Sequence, residues 1–222
     1  MKIQELFESQ IDKEVREFIK NYRKGNLPNW RFESTFPIHK VIDGKVHIDG
    51  KALKITNGLV DENGELMIEL AGKCGQIVIN CDKLTSFKGF PPYVSRTGAK
   101  DYTFAAIAFG RYNKLITSFE GFPIEVSGNA NVGNVANITC KDIHKHIKSI
   151  NGMLELPNHY KGPLLGVLKI EKLKALTTFY GNIIPDFSKA IKIVNTHLTG
   201  DRNIIACQEE LFQNDLDEYA KL

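Results

Sequence analysis

The stretch that decides the fold is residues 84–91, LTSFKGFP, which returns at residues 116–123 as ITSFEGFP. Residues 147–152, IKSING, and residues 176–181, LTTFYG, are weaker echoes of the same block. Each block contains one glycine, and these glycines are 32, 31 and 29 residues apart: Gly89, Gly121, Gly152 and Gly181. A near-constant period of this size predicts a repeat array, in which each unit buries its apolar edge by stacking on the next.

The chemistry inside the block is that of a turn between short strands. Two apolar positions three residues apart are expected to point inward, and the glycine two residues later permits a turn that a side chain would obstruct. Serine or threonine between them can bond backbone groups left free at the turn. A strand-like run precedes each block, at residues 77–79, 105–109, 135–138 and 166–170.

Helical spacing at both ends of the chain predicts two caps. Apolar residues recur at three- and four-residue steps between residues 3 and 22, and Gly25 is a plausible stop. Helical spacing returns after Pro185 and again from about Asp201. A stacked β-array has open edges that need covering. We therefore predict an α+β chain: an N-terminal helical cap at 1–40, a short, degenerate, β-rich solenoid at 41–182, and a C-terminal helical cap at 183–222.

Composition limits the function classes. The chain has 222 residues, of which 42% are hydrophobic, so a sizeable core is expected. The net charge of +3 is too weak to dictate a nucleic-acid partner. Charge is unevenly spread, because residues 141–175 carry seven lysines against three acids and residues 201–222 carry six acids against two bases. The N-terminal residues contain no apolar run, so we predict no secretory signal and no membrane span. This favours the cytoplasm, where the four cysteines would be reduced.

The block sequence resembles the repeat of leucine-rich-repeat-like proteins encoded by tailed bacteriophages, whose units read Leu-Thr-Ser-Leu-x-Gly-x-Pro after a short strand. The segments IVNTHL at 193–198, CQEEL at 207–211 and AKL at 220–222 are similar to the helical C-terminus of some members. The resemblance covers residues 76–222. It implies that the β-rich array at 41–182 is a leucine-rich-repeat-like solenoid, that the chain has a phage source, and that it acts in the cytoplasm of the host cell.

The sequence gives only weak evidence for catalytic or metal-binding sites. Cys140, His144 and His146 fall within seven residues, with Asp142 nearby, but the paired spacing of a zinc site is absent. No thiol is set beside a histidine in a recognisable catalytic motif. Residues 128–134, GNANVGN, lack the Gly-Lys-Ser/Thr ending of a phosphate loop and predict a turn between strands. We expect no metal, no cofactor and no enzymatic activity.

A repeat array without a catalytic constellation favours an interaction protein. We expect the chain to dock a host or phage protein, plausibly inhibiting or redirecting a host function such as defence. The binding surface would be the exposed strand face of the array, with a basic region facing an acidic partner. The lysines of that region are Lys141, Lys145, Lys148, Lys169, Lys172 and Lys174. The alternative is nucleic-acid or nucleotide binding through the same 141–174 face.

Overall fold

A computed structural model describes residues 38–42, 45–48, 53–57, 60–66, 69–95, 105–178 and 182–222. Within them the chain forms a solenoid of short, mostly parallel strands, with helices at the C-terminal end. The predicted solenoid and its C-terminal helices are confirmed. The predicted N-terminal helix lies outside the described residues.

Three sheets run along the solenoid. The strands are β1 Ile38–Ile42, β2 Lys45–Ile48, β3 Leu53–Thr56, β4 Glu69–Ala71, β5 Lys73–Cys74, β6 Ile77–Asn80, β7 Tyr93–Ser95, β8 Ala105–Phe109, β9 Glu125–Ser127, β10 Asn129–Asn131, β11 Ser149–Ile150, β12 Met153–Leu156 and β13 Ala175–Thr178. The long sheet has the order β13-β12-β10-β8-β6-β3, and the short sheet has the order β11-β9-β7-β5. All neighbouring strands in these two sheets are parallel. A third sheet, β1-β2-β4, begins with an antiparallel β1–β2 hairpin.

The length of each coil follows from the partners in the long sheet. Successive central residues pair across the strands: Leu53, Ile77, Ile107, Ala130, Leu154 and Leu176. The coils therefore advance by 24, 30, 23, 24 and 22 residues. The predicted period of 29–32 residues is wrong as a general rule, because it holds only for one long coil. That coil joins Val94 to its partner Val126, 32 residues later.

The first two sequence blocks are structural equivalents. In each, the second phenylalanine donates its backbone N–H to the carbonyl of the first, from Phe90 to Phe87 and from Phe122 to Phe119, both at 3.0 Å. Gly89 and the equivalent Gly121 adopt the left-handed φ values of 84° and 77°. The serine of each block accepts a bond from the backbone N–H two residues later, as predicted.

The third copy of this turn lies where the sequence did not predict it, at residues 139–143. Ile143 N–H donates to the carbonyl of Cys140 at 3.1 Å, and Thr139 Oγ1 accepts from Lys141 N–H at 3.2 Å. Asp142 takes the place of the glycine, with a φ of 56°. Aspartate tolerates this conformation better than most residues. The turn is therefore kept although its glycine and both phenylalanines are replaced.

The two weaker echoes belong to other parts of the coil. Ser149 and Ile150 form β11 of the short sheet and pair with Glu125 and Val126. Residues 175–178 form β13 of the long sheet. The interpretation of 147–152 and 176–181 as further copies is therefore wrong.

Two of the four predicted strand runs are also wrong. Residues 77–79 and 105–109 lie in β6 and β8, whereas 135–138 contains only an isolated bridge and Leu165–Lys169 forms a 3₁₀ helix. In the long sheet, the two strands that follow β8 are β10 and β12 instead. The glycine-rich stretch 128–134, predicted as a turn, contains β10 after a turn at Gly128.

The core is a stack of aromatic and aliphatic layers between the sheets. Phe87 stacks on Phe119 with ring centroids 6.4 Å apart and interplanar angle 13°, and it makes edge contacts with Phe90, Phe109 and Phe122. Buried Asn113 joins coils through polar bonds, because its Nδ2 donates to the carbonyls of Cys81 and Leu84 while its Oδ1 accepts from the N–H groups of Leu115 and Ile116. Such satisfied polar groups fix the spacing of the coils.

Three helices complete the described structure: α1 Ile143–His146, α2 Pro185–Thr199 and α3 Ile204–Gln213. α2 begins at the predicted proline, and Asn203 caps α3 by accepting the N–H of Ala206. α2 packs on β13 at the last coil, and α3 packs on α2. The apolar faces of both helices are buried there, as the sequence predicts.

Candidate interaction surface

The outward side of the long sheet presents one continuous row of residues. In β6 alternate side chains point inward, as Ile77 and Ile79 do, while those between them point outward. In β8 all five residues are buried, Ala108 included. The outward row crosses all six strands through successive partners: Lys54, Val78, Ala108, Asn131, Glu155 and Thr177. We call these six residues, with Asn80, Asn129 and Met153 beside them, the strand face.

Side-chain hydrogen bonds hold the asparagines of the strand face in place. Asn129 Oδ1 accepts from the backbone N–H of Met153 on the next coil at 2.9 Å. Asn131 Oδ1 accepts from Gly133 N–H, also at 2.9 Å. Asn80 lies against Gly110, where an added Cβ would stand 2.1 Å from Asn80 Oδ1. The face is therefore preorganised, which reduces the entropy lost when a partner binds.

The two charged groups of the strand face are partly withdrawn from water. Burial raises the pKa of Glu155, and a hydrogen bond from Asn131 opposes that rise. Lys54 is only 6% exposed, and burial, followed by the positive charge of Arg111, lowers its pKa. The remaining members are neutral, so this face offers amide and hydroxyl groups more than charge.

All six candidate lysines are exposed, but they do not lie on the strand face. Lys141, Lys145 and Lys169 surround the α1 turn, where Lys145 Nζ lies 2.9 Å from Asp142 Oδ1. His144 lies among them, and its pKa is lowered first by burial and then by the charge of Lys169.

The other three lysines lie at the end of the short sheet and its turn. Lys148 precedes β11, and its Nζ is 3.8 Å from Glu125 Oε1. Lys172 forms a single parallel bridge with Ser149, and Lys174 N–H donates to the carbonyl of Gly152 at 3.0 Å. In the sequence, Lys169, Lys172 and Lys174 alternate with apolar residues, a pattern that predicts an exposed strand. That prediction is wrong, because Lys169 ends the 3₁₀ helix and residues 170–174 make only one bridge.

The cysteine and histidine candidates do not form a nucleophilic pair. Burial raises the pKa of the Cys140 thiol to about 12, and the side chain that bonds this thiol is Tyr160. Tyr160 Oη accepts the backbone N–H of Cys140 at 2.9 Å and donates to the carbonyl of Pro163 at 2.7 Å. A neutral thiol is a poor nucleophile and a poor metal ligand.

Two features are absent from the part of the chain that the structure describes. No group of three or more histidine, cysteine, aspartate or glutamate side chains comes together there in a way that could hold a metal ion. No helix there combines the length and apolar character needed to cross a bilayer.

Sequence reasoning predicted that a strand face exists but did not identify its residues. Asn129 and Asn131 were hidden in a glycine- and asparagine-rich stretch that favours a turn. The signal that could have found them is the alternation of polar and small apolar residues, Asn129-Ala130-Asn131-Val132. The structure confirms this period, because Ala130 and Val132 are buried and the two asparagines are not.

Comparison with known proteins finds no similarity that bears on this surface. No protein-family model matches the chain, and searches of curated proteins and of solved structures find no match.

Proposed function

We propose that this chain is a non-catalytic interaction protein that docks another protein on its strand face. The observation that carries the proposal is the aligned row from Lys54 to Thr177, which crosses six adjacent parallel strands and is half-buried at Val78, Asn131, Glu155 and Thr177. Parallel strands lie about 4.8 Å apart, so such a row presents a regular, extended set of contacts. Solenoids characteristically bind partners along an extended surface of this kind.

The chemistry of the face favours a protein partner with polar groups. Asn129 and Asn131 supply its amide groups; both are held through their Oδ1 atoms, and Asn131 also hydrogen-bonds Glu155. Met153, 41% exposed beside them, supplies apolar contact area. A mixed surface of amide groups around an adaptable apolar side chain is well suited to protein recognition.

The resemblance to phage repeat proteins supports a more specific version of the proposal. The chain would act in the cytoplasm of a bacterial host and inhibit or redirect a host protein, for example one used in defence. Nucleic-acid binding by the 141–174 lysines is the weaker alternative. Those lysines divide between two locations, and Lys145 and Lys148 are already paired with carboxylates.

The experiment is affinity purification of the tagged chain from bacterial lysate, with mass spectrometry and an absorbance spectrum of the eluate. A stoichiometric protein captured by the wild type and lost with Met153→Arg and Thr177→Arg supports the proposal. Thr117→Arg is the matched control, because Thr117 is exposed in the block at 116–123 and lies outside the strand face. Capture of nothing above background counts against the proposal, and an eluate containing only nucleic acid favours the alternative.

A further inference from the structure

Helix α3 carries an apolar strip on its outer side. Ile205 is 68% exposed and Phe212 is 47% exposed, while Cys207 and Leu211 face the core. Ile205 and Phe212 are seven residues apart, so they lie on the same side of the helix. Ile205 is the most exposed large apolar side chain among the described residues. We call Ile205 and Phe212 the apolar strip.

Five exposed carboxylates surround this strip in the sequence of the C-terminal cap. They are Asp201, Glu209, Asp215, Asp217 and Glu218. None of the five forms an ion pair with another described residue. Of the other two acids of the cap, Glu210 is paired with His197 at 2.9 Å and Asp186 lies in the first turn of α2. We call the five residues the acidic rim.

A positively charged segment lies directly beside the start of α3. The Arg202 guanidinium donates to the backbone carbonyls of Ile170 and Leu173, which holds the beginning of α3 against this part of the last coil. The same segment carries three exposed lysines that form no ion pair with a described residue: Lys169, Lys172 and Lys174. We call these three residues the lysine segment.

We propose that this end of the solenoid binds a second copy of the chain in a two-fold symmetric dimer. A two-fold contact requires a self-complementary surface, because each patch meets the complementary patch of the partner. Here a positive segment and a negative rim lie side by side with exposed apolar groups on α3. A two-fold axis through α3 sets the acidic rim of one copy against the lysine segment of the other.

The two patches are opposite in charge. The lysine segment has three lysines with one acid, Glu171, between them, and the acidic rim has five carboxylates. The arrangement also has the composition of an interface, with apolar side chains inside a charged surround. This dimer goes beyond the proposed function, because it uses the C-terminal cap and leaves the strand face available.

The first test is the mass of the wild-type chain in solution by light scattering and sedimentation. At low salt we expect twice the 25.0 kDa chain mass, with an affinity that falls about tenfold as salt is raised. Ile205→Glu places a charge at the centre of the interface, and we expect it to weaken the dimer about 100-fold. Met153→Glu changes a 41% exposed apolar residue on the strand face and should leave the dimer unchanged.

A charge-reversal pair tests the two-fold pairing itself. The first variant carries Glu209→Lys, Asp217→Lys and Glu218→Lys, and the second carries Lys169→Glu, Lys172→Glu and Lys174→Glu. Each variant alone is expected to be monomeric, because like charges would face each other. An equimolar mixture is expected to form a heterodimer, because the three reversed residues of each variant then face the opposite charge.

Any of three results would overturn the dimer. One is a wild-type chain that stays at 25.0 kDa at every concentration tested. The others are a wild-type dimer that Ile205→Glu leaves intact and a folded pair of reversed variants that stays monomeric when mixed. Circular dichroism of each variant confirms that it folds. The lysate experiment reads out the strand face independently, so failure of the dimer is distinguishable from failure of the proposed function.

Discussion

Asn195 of α2 pairs with both backbone groups of Leu176 in β13. Its Oδ1 accepts the N–H of Leu176 at 2.7 Å, and its Nδ2 donates to the carbonyl of the same residue at 2.9 Å. One amide side chain thus takes the role of a neighbouring strand at the edge of the long sheet. Because an uncovered edge is a template for pairing with another chain, this contact explains how a helix can end the solenoid.

Replacing Asn195 is expected to open that edge. Asn195→Ala leaves the N–H and carbonyl of Leu176 without their partner, and we expect the free energy of unfolding to fall by about 1–3 kcal/mol. Urea denaturation followed by circular dichroism measures the loss. Thr196→Ala is the control, because Thr196 is an exposed neighbour on α2 whose hydroxyl donates to the backbone carbonyl of Lys192 in the same helix. Equal stability of the Asn195 and Thr196 variants would contradict the capping role.

A side chain at Gly121 would both strain the backbone and clash with the preceding coil. Its φ is 77°, and an added Cβ would lie 2.7–2.8 Å from the backbone of Phe87 and Lys88 in the preceding coil. We expect Gly121→Ala to cost more than about 2 kcal/mol, because the left-handed conformation alone costs about 1–2 kcal/mol and the clash adds to it. Chemical denaturation tests this. Thr117→Ala, at an exposed position of the same block, should change stability by less than about 0.5 kcal/mol.

Phe87 is central to the aromatic stack that joins adjacent coils. It contacts four other phenylalanine rings and is fully buried. Phe87→Ala is expected to destabilise the fold by about 3–5 kcal/mol, because it removes these contacts and leaves a cavity. Tyr112→Ala removes an aromatic ring that is 49% exposed and serves as the control. A thermal unfolding midpoint that falls by the same amount in both variants would argue against the stack as a core element.

The buried cysteines predict both low thiol reactivity and an alkaline limit to stability. Burial raises the pKa of Cys74, Cys140 and Cys207 from 9.0 to about 12. These thiols are protonated in the folded chain but ionise near pH 9 when it unfolds, so their stabilising effect is complete below pH 9 and is lost as pH rises towards 12. The linkage slope is about 1.4 kcal/mol per pH unit for each thiol.

Two measurements check the thiols. Ellman's reagent at neutral pH is expected to react slowly with the native chain and rapidly with all four cysteines in denaturant. The free energy of unfolding, measured from pH 8 upward, is expected to decline above pH 9. Cys140→Ala should make that decline shallower, because it removes one of the ionising groups. Rapid labelling of the native chain would show that these thiols are not buried as the structure has them.

Local sequence was enough for the elements whose signals lie within a few residues. The blocks at 84–91 and 116–123 could be recognised because glycine, serine and phenylalanine all act inside one turn. The two C-terminal helices could be recognised because their apolar spacing and the proline at 185 are local as well. Their bounds, Pro185–Thr199 and Ile204–Gln213, agree with the predicted starts.

Which residues are equivalent in successive coils could not be predicted from local sequence. The third turn has Cys140 and Ile143 where the first two have phenylalanines, and Asp142 where they have glycine. What the turns share is a backbone conformation and a place above the preceding coil, and several residue types can satisfy both. Residues 147–152 and 176–181 are similar in sequence to the first two blocks, but their strands occupy other positions in the solenoid. Sequence similarity alone therefore predicted the wrong position for them.

The sequence by itself determined that the chain is a glycine-punctuated β-array that ends in helices, because turn chemistry and hydrophobic period are local properties. Only the tertiary structure decided which residues stack, since strand register depends on contacts between residues 22–30 positions apart. Register in turn decided the surfaces. It aligned the polar row from Lys54 to Thr177, separated the six lysines into two groups, and set the acidic cap beside Lys169, Lys172 and Lys174.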